Sequence, residues 1–473
     1  MSKVEVNEID KQNGSTLTIG GSGTTVQLGT GATQTGFGRT GTVDWQTGSI
    51  KTTDFTAVNG QGFFVNTSGG SNITVTLPSS PSGGNIVAVA DYAGTAATNK
   101  IIIARNGSPI EGGTLNAEIT VARQTATFVY VDGTQGWVVV NSNDEKLLAS
   151  QFIAASGGTE VTCGNFKTHI FTGPGTFSIS EIAPSPSGNP NAMDYLVVAG
   201  GGGGAGNNGG GGGAGGFRVT NCASLPAPTM SPLVNACGAL TATVNSFPIT
   251  VGAAGTPGPF PATANGGPGG NSTFSTITSA GGGGGSTRGG PTANGLSGGS
   301  GGGGGGEDGG SGGSGNNPPT NPAQGQDGGA GGNSTPRASG GGGGAGATGG
   351  PGVPSQNAGP GGVGSFIADA FIGPTAPSYG TPGPVSSVRY FSGGGGAGVE
   401  STPGLGLGSN GAGGAGGGAN GGPGPTAGGA GSAATANTGG GGGGASRYNC
   451  GSTPITSGGG GGSGIVMIRY KFQ

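Results

Sequence analysis

The feature that most limits what this chain can become is a repeated event: a short apolar run feeds directly into consecutive glycines. Asp194-Tyr195-Leu196-Val197-Val198-Ala199 leads into Gly200–Gly204, and similar runs recur until Gly464, where Ile465 to Tyr470 closes the series. Glycine loses more conformational freedom on ordering than any other residue and weakens helices and strands alike. These runs are therefore read as neither α-helix nor ordinary sheet. Glycine supplies 124 of 473 residues and proline 31, a share usual for disordered or collagenous chains. Only 7% of residues are charged, unlike most disordered tails, and the strict Gly-X-Y period of collagen is absent. Polyproline-II geometry is the remaining regular option, with three residues per turn and no internal hydrogen bonds. Side by side, such helices can exchange backbone hydrogen bonds, because residues without side chains approach closely. The expectation is a bundle of polyglycine-II helices on a β-scaffold, within an all-β fold.

Four domains are expected in order: an extended N-terminal attachment arm (1–53), a small β-sandwich (54–141), a short helical neck or linker (142–158) and a glycine-rich distal domain (159–473). In the arm only short apolar alternations occur, such as Leu17 and Ile19, then Val26 and Leu28. In the second region Ile73, Val75 and Leu77 alternate with polar residues. Ile86 to Ala90, Ile101 to Ala104, Ile119 with Val121, and a hairpin of Phe128 to Val131 with Trp137 to Val140 complete about six strands. Ser142-Asn143-Asp144-Glu145 has capping-box spacing, with Leu147, Leu148 and Phe152 behind it, and is the source of the helix expectation. In the distal region strands are expected at His169–Phe171, Thr176–Ile179, Asp194–Ala199, Phe247–Val251, Ser272–Ile277, Val388–Phe391 and Ile465–Phe472.

Several function classes lose their support here. The net charge is -3 with no basic block, which argues against nucleic-acid binding. No apolar run is long enough to span a membrane, and no secretory leader is expected. Synthesis in a cytoplasm, without membrane insertion, follows as the expectation. Cys163, Cys222, Cys237 and Cys450 permit three pairings, with four free thiols the alternative. With one histidine, His169, and no zinc spacing, no metal or cofactor is expected. Gly-x-Gly-x-x-Gly after Ala199 satisfies the dinucleotide fingerprint only because glycine runs satisfy it automatically, and no helix former follows. Glu307-Asp308 and Asp327 lack the repeated aspartates of a calcium-binding β-roll. No catalytic constellation is legible, so an enzyme is not expected; a carboxylate pair assembled in space would still allow a glycosidase.

Islands inside the glycine region carry the candidate contacts. Phe366, Ile367, Phe371 and Ile372 read as local packing. Tyr379, Arg389, Tyr390, Phe391, Arg447 and Tyr448 are the candidate receptor-binding residues, since aromatic faces stack on sugars and tyrosine and arginine are enriched at binding hot spots. Arginine and tyrosine capping carbonyls of the glycine helices is an equal alternative.

The order Tyr195-Leu-Val-Val-Ala-Gly-Gly-Gly, Ile249-Thr250-Val251-Gly252, Asn271-Ser272-Thr273-Phe274 and Gly464-Ile465-Val466-Met467-Ile468-Arg469-Tyr470 resembles the glycine-rich domain of tail-fibre and structural proteins of marine bacteriophages, over about residues 160 to 473. Asp91-Tyr92-Ala93-Gly94-Thr95, Phe128-Val129-Tyr130-Val131-Asp132 and Gln135-Gly136-Trp137 resemble β-rich modules of cyanophage-type virion proteins. The glycine architecture is also similar, without a close sequence match, to the tip adhesins of T-even-type phages. The resemblance implies a homotrimeric virion fibre, probed by its distal domain against a host surface glycan or outer-membrane protein. The N-terminal arm would attach it to a phage tail or capsid protein. A capsid decoration fibre is the alternative, and a depolymerising spike enzyme the third.

Overall fold

A computed structural model describes residues 43–142, 152–183, 191–222, 225, 229–235, 238–259, 264–289, 293–354, 357–401, 408–424, 429–448 and 456–472. The chain divides into two units, Met1–Ala149 and Ser150–Gln473.

In the first unit the chain visits two sheets in turn. Strands β1 (Asp44–Trp45), β2 (Phe55–Thr56), β3 (Gln61–Val65), β4 (Ile73–Thr76), β5 (Ile86–Asp91) and β6 (Ile101–Ala104) alternate between them. Each return adds a strand in the same direction, so β1, β3 and β5 pair in parallel, as do β2, β4 and β6. Strands β7 (Ala117–Ile119), β8 (Thr125–Tyr130) and β9 (Trp137–Ser142) then pair antiparallel with β6, β5 and β8. The expected two-sheet architecture is present, but its ladders are wound rather than a succession of hairpins. Period-2 alternation sends Phe63, Val65, Val87, Val89, Phe128 and Trp137 inward from one sheet, against Ile73, Val75, Ile101, Ile103 and Ile119 from the other. β1 belongs to this fold although its residues fall in the segment read as an arm; residues 1–42 lie outside the described residues. Ser142, read as a helix N-cap, ends β9, and the expected helical turns at 143–151 lie outside the described residues.

The second unit opens with β10 (Ala154–Ser156), β11 (Thr159–Cys163), β12 (Phe166–Phe171), β13 (Gly175–Glu181) and β14 (Ala192–Val198). It continues through β15 (Phe217–Thr220), β16 (Val234–Asn235), β17 (Leu240–Thr241), β18 (Asn245–Thr250), β19 (Ser272–Phe274) and β20 (Ile277–Ser279). Later come β21 (Ser365–Ala368), the one-turn helix α1 (Asp369–Ile372), β22 (Val388–Phe391), β23 (Glu400–Ser401), β24 (Arg447–Tyr448) and β25 (Ile465–Lys471). A seven-stranded sheet in the order β11-β12-β25-β14-β15-β16, with β17 on β14, lies against the five-stranded β10-β13-β18-β19-β20. The run read as one strand, Ser272–Ile277, is a tight turn between β19 and β20, with Ser275 in left-handed conformation.

β25 shows why its sequence is apolar throughout. Val466, Ile468 and Tyr470 enter the core between the two sheets, with Phe177, Tyr195 and Phe274. Ile465 and Met467 enter the core on the other face, with Leu196, Phe217 and Phe371. A strand covered on both faces needs no polar alternation. His169, on β12, is buried in the first of these cores; its ring nitrogens meet the Gly157 carbonyl at 2.6 Å and the Tyr470 hydroxyl at 2.9 Å. Burial holds its pKa below the ordinary value of 6.5.

The glycine segments form a hydrogen-bonded lattice. Along 209–216 the N–H groups of Gly210, Gly213 and Gly216 donate to Ser286, Gly283 and Ala280. Those of Gly211 and Ala214 donate to Gly340 and Gly343, and those of Gly212 and Gly215 to Gly442 and Gly439. Every third residue faces the same neighbour, which is the periodicity of polyglycine II. The carbonyls of the same segment accept from three further neighbours: Gly202 and Ala205, Gly303 and Ser300, Gly395 and Gly398. The segment thus sits among six others, which between them satisfy its N–H groups and nearly all of its carbonyls.

Such packing leaves no room for a methyl group. A Cβ placed on Gly212 would fall on the Gly202 carbonyl, whereas one on Gly460 meets nothing closer than the Gly255 oxygen at 3.7 Å. Gly212→Ala is expected to destabilise by about 1–3 kcal/mol or prevent folding, and Gly460→Ala to stay within about 0.5 kcal/mol of wild type; thermal melts of both variants check this. His169 gives a second expectation. Its folded pKa lies below the unfolded one, so the unfolded chain binds the extra proton. Its contribution is complete above about pH 6.5 and is lost as pH falls towards the folded pKa. His169→Gln should flatten the dependence of the melting temperature on pH below that point.

Candidate functional site

Glycine segments run alternately away from and back to the sheets. Segment 199–206 leaves β14 and 209–216 returns to β15; 252–258 leaves β18 and 264–270 returns to β19; 392–399 leaves β22 and 456–464 returns to β25. The bundle therefore has a sheet end, where strands attach, and a tip end, where turns such as Asn207-Asn208 reverse the chain with both residues at positive φ.

The first island lies at the sheet end. Ile367, Phe371 and Ile372 are buried with Leu196, Val198 and Met467, which bears out local packing for those three. Phe366, half-buried, lies 5.1 Å from the ring of Tyr390. Phe391 is fully buried in the same core and Tyr390 is 4% exposed, so neither presents a contact surface. This corrects their reading as receptor contacts; Val388 and Tyr390 are buried on one face of β22 and Phe391 on the other, where the strand enters the glycine lattice. Arg389 is half-buried and spends its guanidinium on the loop before it, donating to the carbonyls of Tyr379 at 2.7 Å, Gly380 at 3.0 Å and Pro377 at 3.3 Å. Tyr379 packs partly buried against the core. Arginine as a carbonyl cap is the role seen for Arg389, though the capped carbonyls belong to a loop and not to a glycine helix.

The second island lies at the tip end. β24 pairs in parallel with β23, placing Arg447 beside Glu400 and Tyr448 beside Ser401, both half-buried. Segment 392–399 separates β22 from β23, a span of about 25 Å at the polyproline-II rise. The six residues singled out from sequence therefore belong to two places and do not assemble into one site.

What the tip end does assemble is a closed ring of charge. Arg288 lies 2.9 Å from Glu307 and 3.6 Å from Glu400; Arg337 lies 3.3 Å from Glu307 and 3.5 Å from Glu400. Each member comes from the end of a different glycine segment. Glu400 has no exposed side-chain surface, the arginines 15% and 22%, and Glu307 36%. Beside the ring stands Asn208, fully buried at φ 52°, with no hydrogen-bond partner for either side-chain polar atom. Its carbonyl accepts the Ser339 hydroxyl at 2.7 Å, and its amide nitrogen lies against Gly306. Of these residues only Glu307 drew notice in the sequence, and only to be weighed as a calcium ligand. The available signal was scarcity: in a chain with so few charges, Arg288, Glu307, Arg337 and Glu400 each stand beside a glycine run. Their mutual proximity needs the lattice.

The arrangement is electrically balanced, rich in hydrogen-bonding atoms and held on rigid segments. Among the described residues no group of His, Cys, Asp and Glu could hold a metal ion. Cys163 is a free thiol, while Cys237 and Cys450 lie outside the described residues. Removing Glu400 would leave two partly buried arginines short of a partner. Glu400→Gln is expected to cost about 2–3 kcal/mol, against about 1 kcal/mol for the more exposed Glu307→Gln; denaturant titration of the two variants should give that order.

No curated protein matches the chain. A family model described as a glycine-rich domain matches residues 172–471, from the residue after β12 to the last residue of β25. That match takes in the whole lattice and most of the sheets from which it grows, and by it the chain belongs to the glycine-rich domain family.

Proposed function

We propose that this chain is a virion fibre protein of a bacterial virus, whose glycine-rich domain attaches the particle to the host cell surface. The observation that carries the reading is the tip end: a lattice of hydrogen-bonded glycine helices holds a set of connecting turns at one end, away from the sheets. A rigid frame of this kind limits the entropy lost when the turns meet a receptor. The sequence likeness to phage fibre proteins supports the same reading, as does the wound β-module of the first unit. The receptor is a host surface glycan or outer-membrane protein, bound noncovalently through the tip. Three copies in one fibre, and several fibres on one particle, would raise avidity above the strength of a single site. The part of the N-terminal segment that precedes β1 would join the fibre to a tail or capsid protein.

Immunogold labelling with antibody against residues 160–473, on particles produced by the genome that encodes the chain, tests this. Label on the tail or its fibres is the expected result. Label spread over the capsid would replace the adhesin with a decoration fibre, and unlabelled particles would overturn the virion reading altogether.

A further inference from the structure

The chemistry of the tip narrows the kind of receptor. This inference rests on the adhesin reading and concerns the same end of the bundle. Charged residues at the tip are Arg288, Arg337 and Arg447 against Glu307, Asp308 and Glu400. The stretches of sequence that join the glycine segments there contain no further Lys, Arg, Asp or Glu. The charges therefore balance, and two of the three arginines are already paired with carboxylates in the ring. At the ring, a phosphate or sulfate group would have to break those pairs to be bound.

The described tip residues give a protein receptor little to anchor on. Protein interfaces are anchored by large aromatic or aliphatic side chains. Among the described tip residues, Val353 is the exposed large apolar side chain, at 40%. What the tip offers instead is a carboxylate rim at Glu307, flanked by arginine donors. Next to Gly306 the Asn208 amide is buried and without a partner.

Carboxylate acceptors beside guanidinium and amide donors match hydroxyl groups, each of which donates one hydrogen bond and accepts others. We propose that the tip end is a subsite for an uncharged, hydroxyl-rich sugar. Glu307 accepts from a sugar hydroxyl, and Arg288 and Arg337 donate to its neighbours. Glu400, beneath the rim, positions both arginines and does not touch the sugar.

The test is surface plasmon resonance of the full chain on immobilised neutral polysaccharides (mannan, dextran, galactan) and acidic ones (alginate, heparin), at low and high salt. Expected is binding to at least one neutral polysaccharide with little salt dependence, since no net charge is neutralised. Glu307→Gln should weaken it about tenfold, the scale of one charge-assisted hydrogen bond. Arg337→Lys keeps the charge and loses the guanidinium fork, and should weaken binding while the melting temperature stays near wild type. Lys167→Gln, at the sheet end, should leave binding unchanged. Binding confined to acidic polymers and lost with salt would overturn the proposal. So would no binding to any neutral polymer, or full binding by both folded ring variants. Polysaccharide binding without particle label sinks the fibre reading and leaves the subsite; label without polysaccharide binding does the reverse.

Discussion

The hydrogen bond between one glycine segment and the next is the interaction on which the second unit depends. A single polyglycine-II helix has no internal hydrogen bonds, and ordering its backbone costs about 1–2 kcal/mol per residue. One inter-segment bond returns about 1 kcal/mol, so a lone pair of segments does not hold. Around 209–216 every residue donates and all but Gly215 also accept, to and from six neighbours, and close approach adds dispersion contacts. The lattice is stable only as a set, which explains why the glycine content is so high and so concentrated.

A lattice without side chains has no means of setting its own register. The strands set it. β14 and β25 begin and end the series of glycine segments and lie side by side, with Asp194 opposite Arg469 in register. Their buried carboxylate and guanidinium lie 3.9 Å apart, and the guanidinium also stacks 3.7 Å from the Phe166 ring. Hydroxyls extend the control into the glycine segments. Ser272 links the Val198 carbonyl to the Gly252 amide, and Ser279 donates to the Val197 carbonyl. At the far end, where only the short β23–β24 ladder is present, the Arg–Glu ring closes the bundle. An ordinary hydrophobic core thus fixes one end, and electrostatics the other.

Most strands were legible, because period-2 alternation or a short apolar run is a local signal. The glycine segments were legible as a class, since nothing but polyproline-II packing suits unbroken glycine. The candidate contacts were read less well. Tyr390 and Phe391 have the residue types of a binding surface, yet both are buried, Phe391 in the core and Tyr390 against Phe366. Arg389 and Arg447 look alike in sequence, standing each beside a tyrosine, and the structure puts them at opposite ends of a glycine segment. The Arg288, Glu307, Arg337 and Glu400 ring was missed because its members are far apart in the chain.

By itself the sequence determined composition-level physics: an all-β chain, a region where only backbone-to-backbone packing is possible, and strands at that region's beginning and end. Those conclusions need only local pattern and the steric fact that glycine lacks Cβ. The tertiary structure alone decided which segments are neighbours, which residues share an end of the bundle and which aromatics are buried. Identical glycine runs carry no information about their partners. Only the strands, turns and few charges that punctuate them can set the register, and they act through contacts made in space.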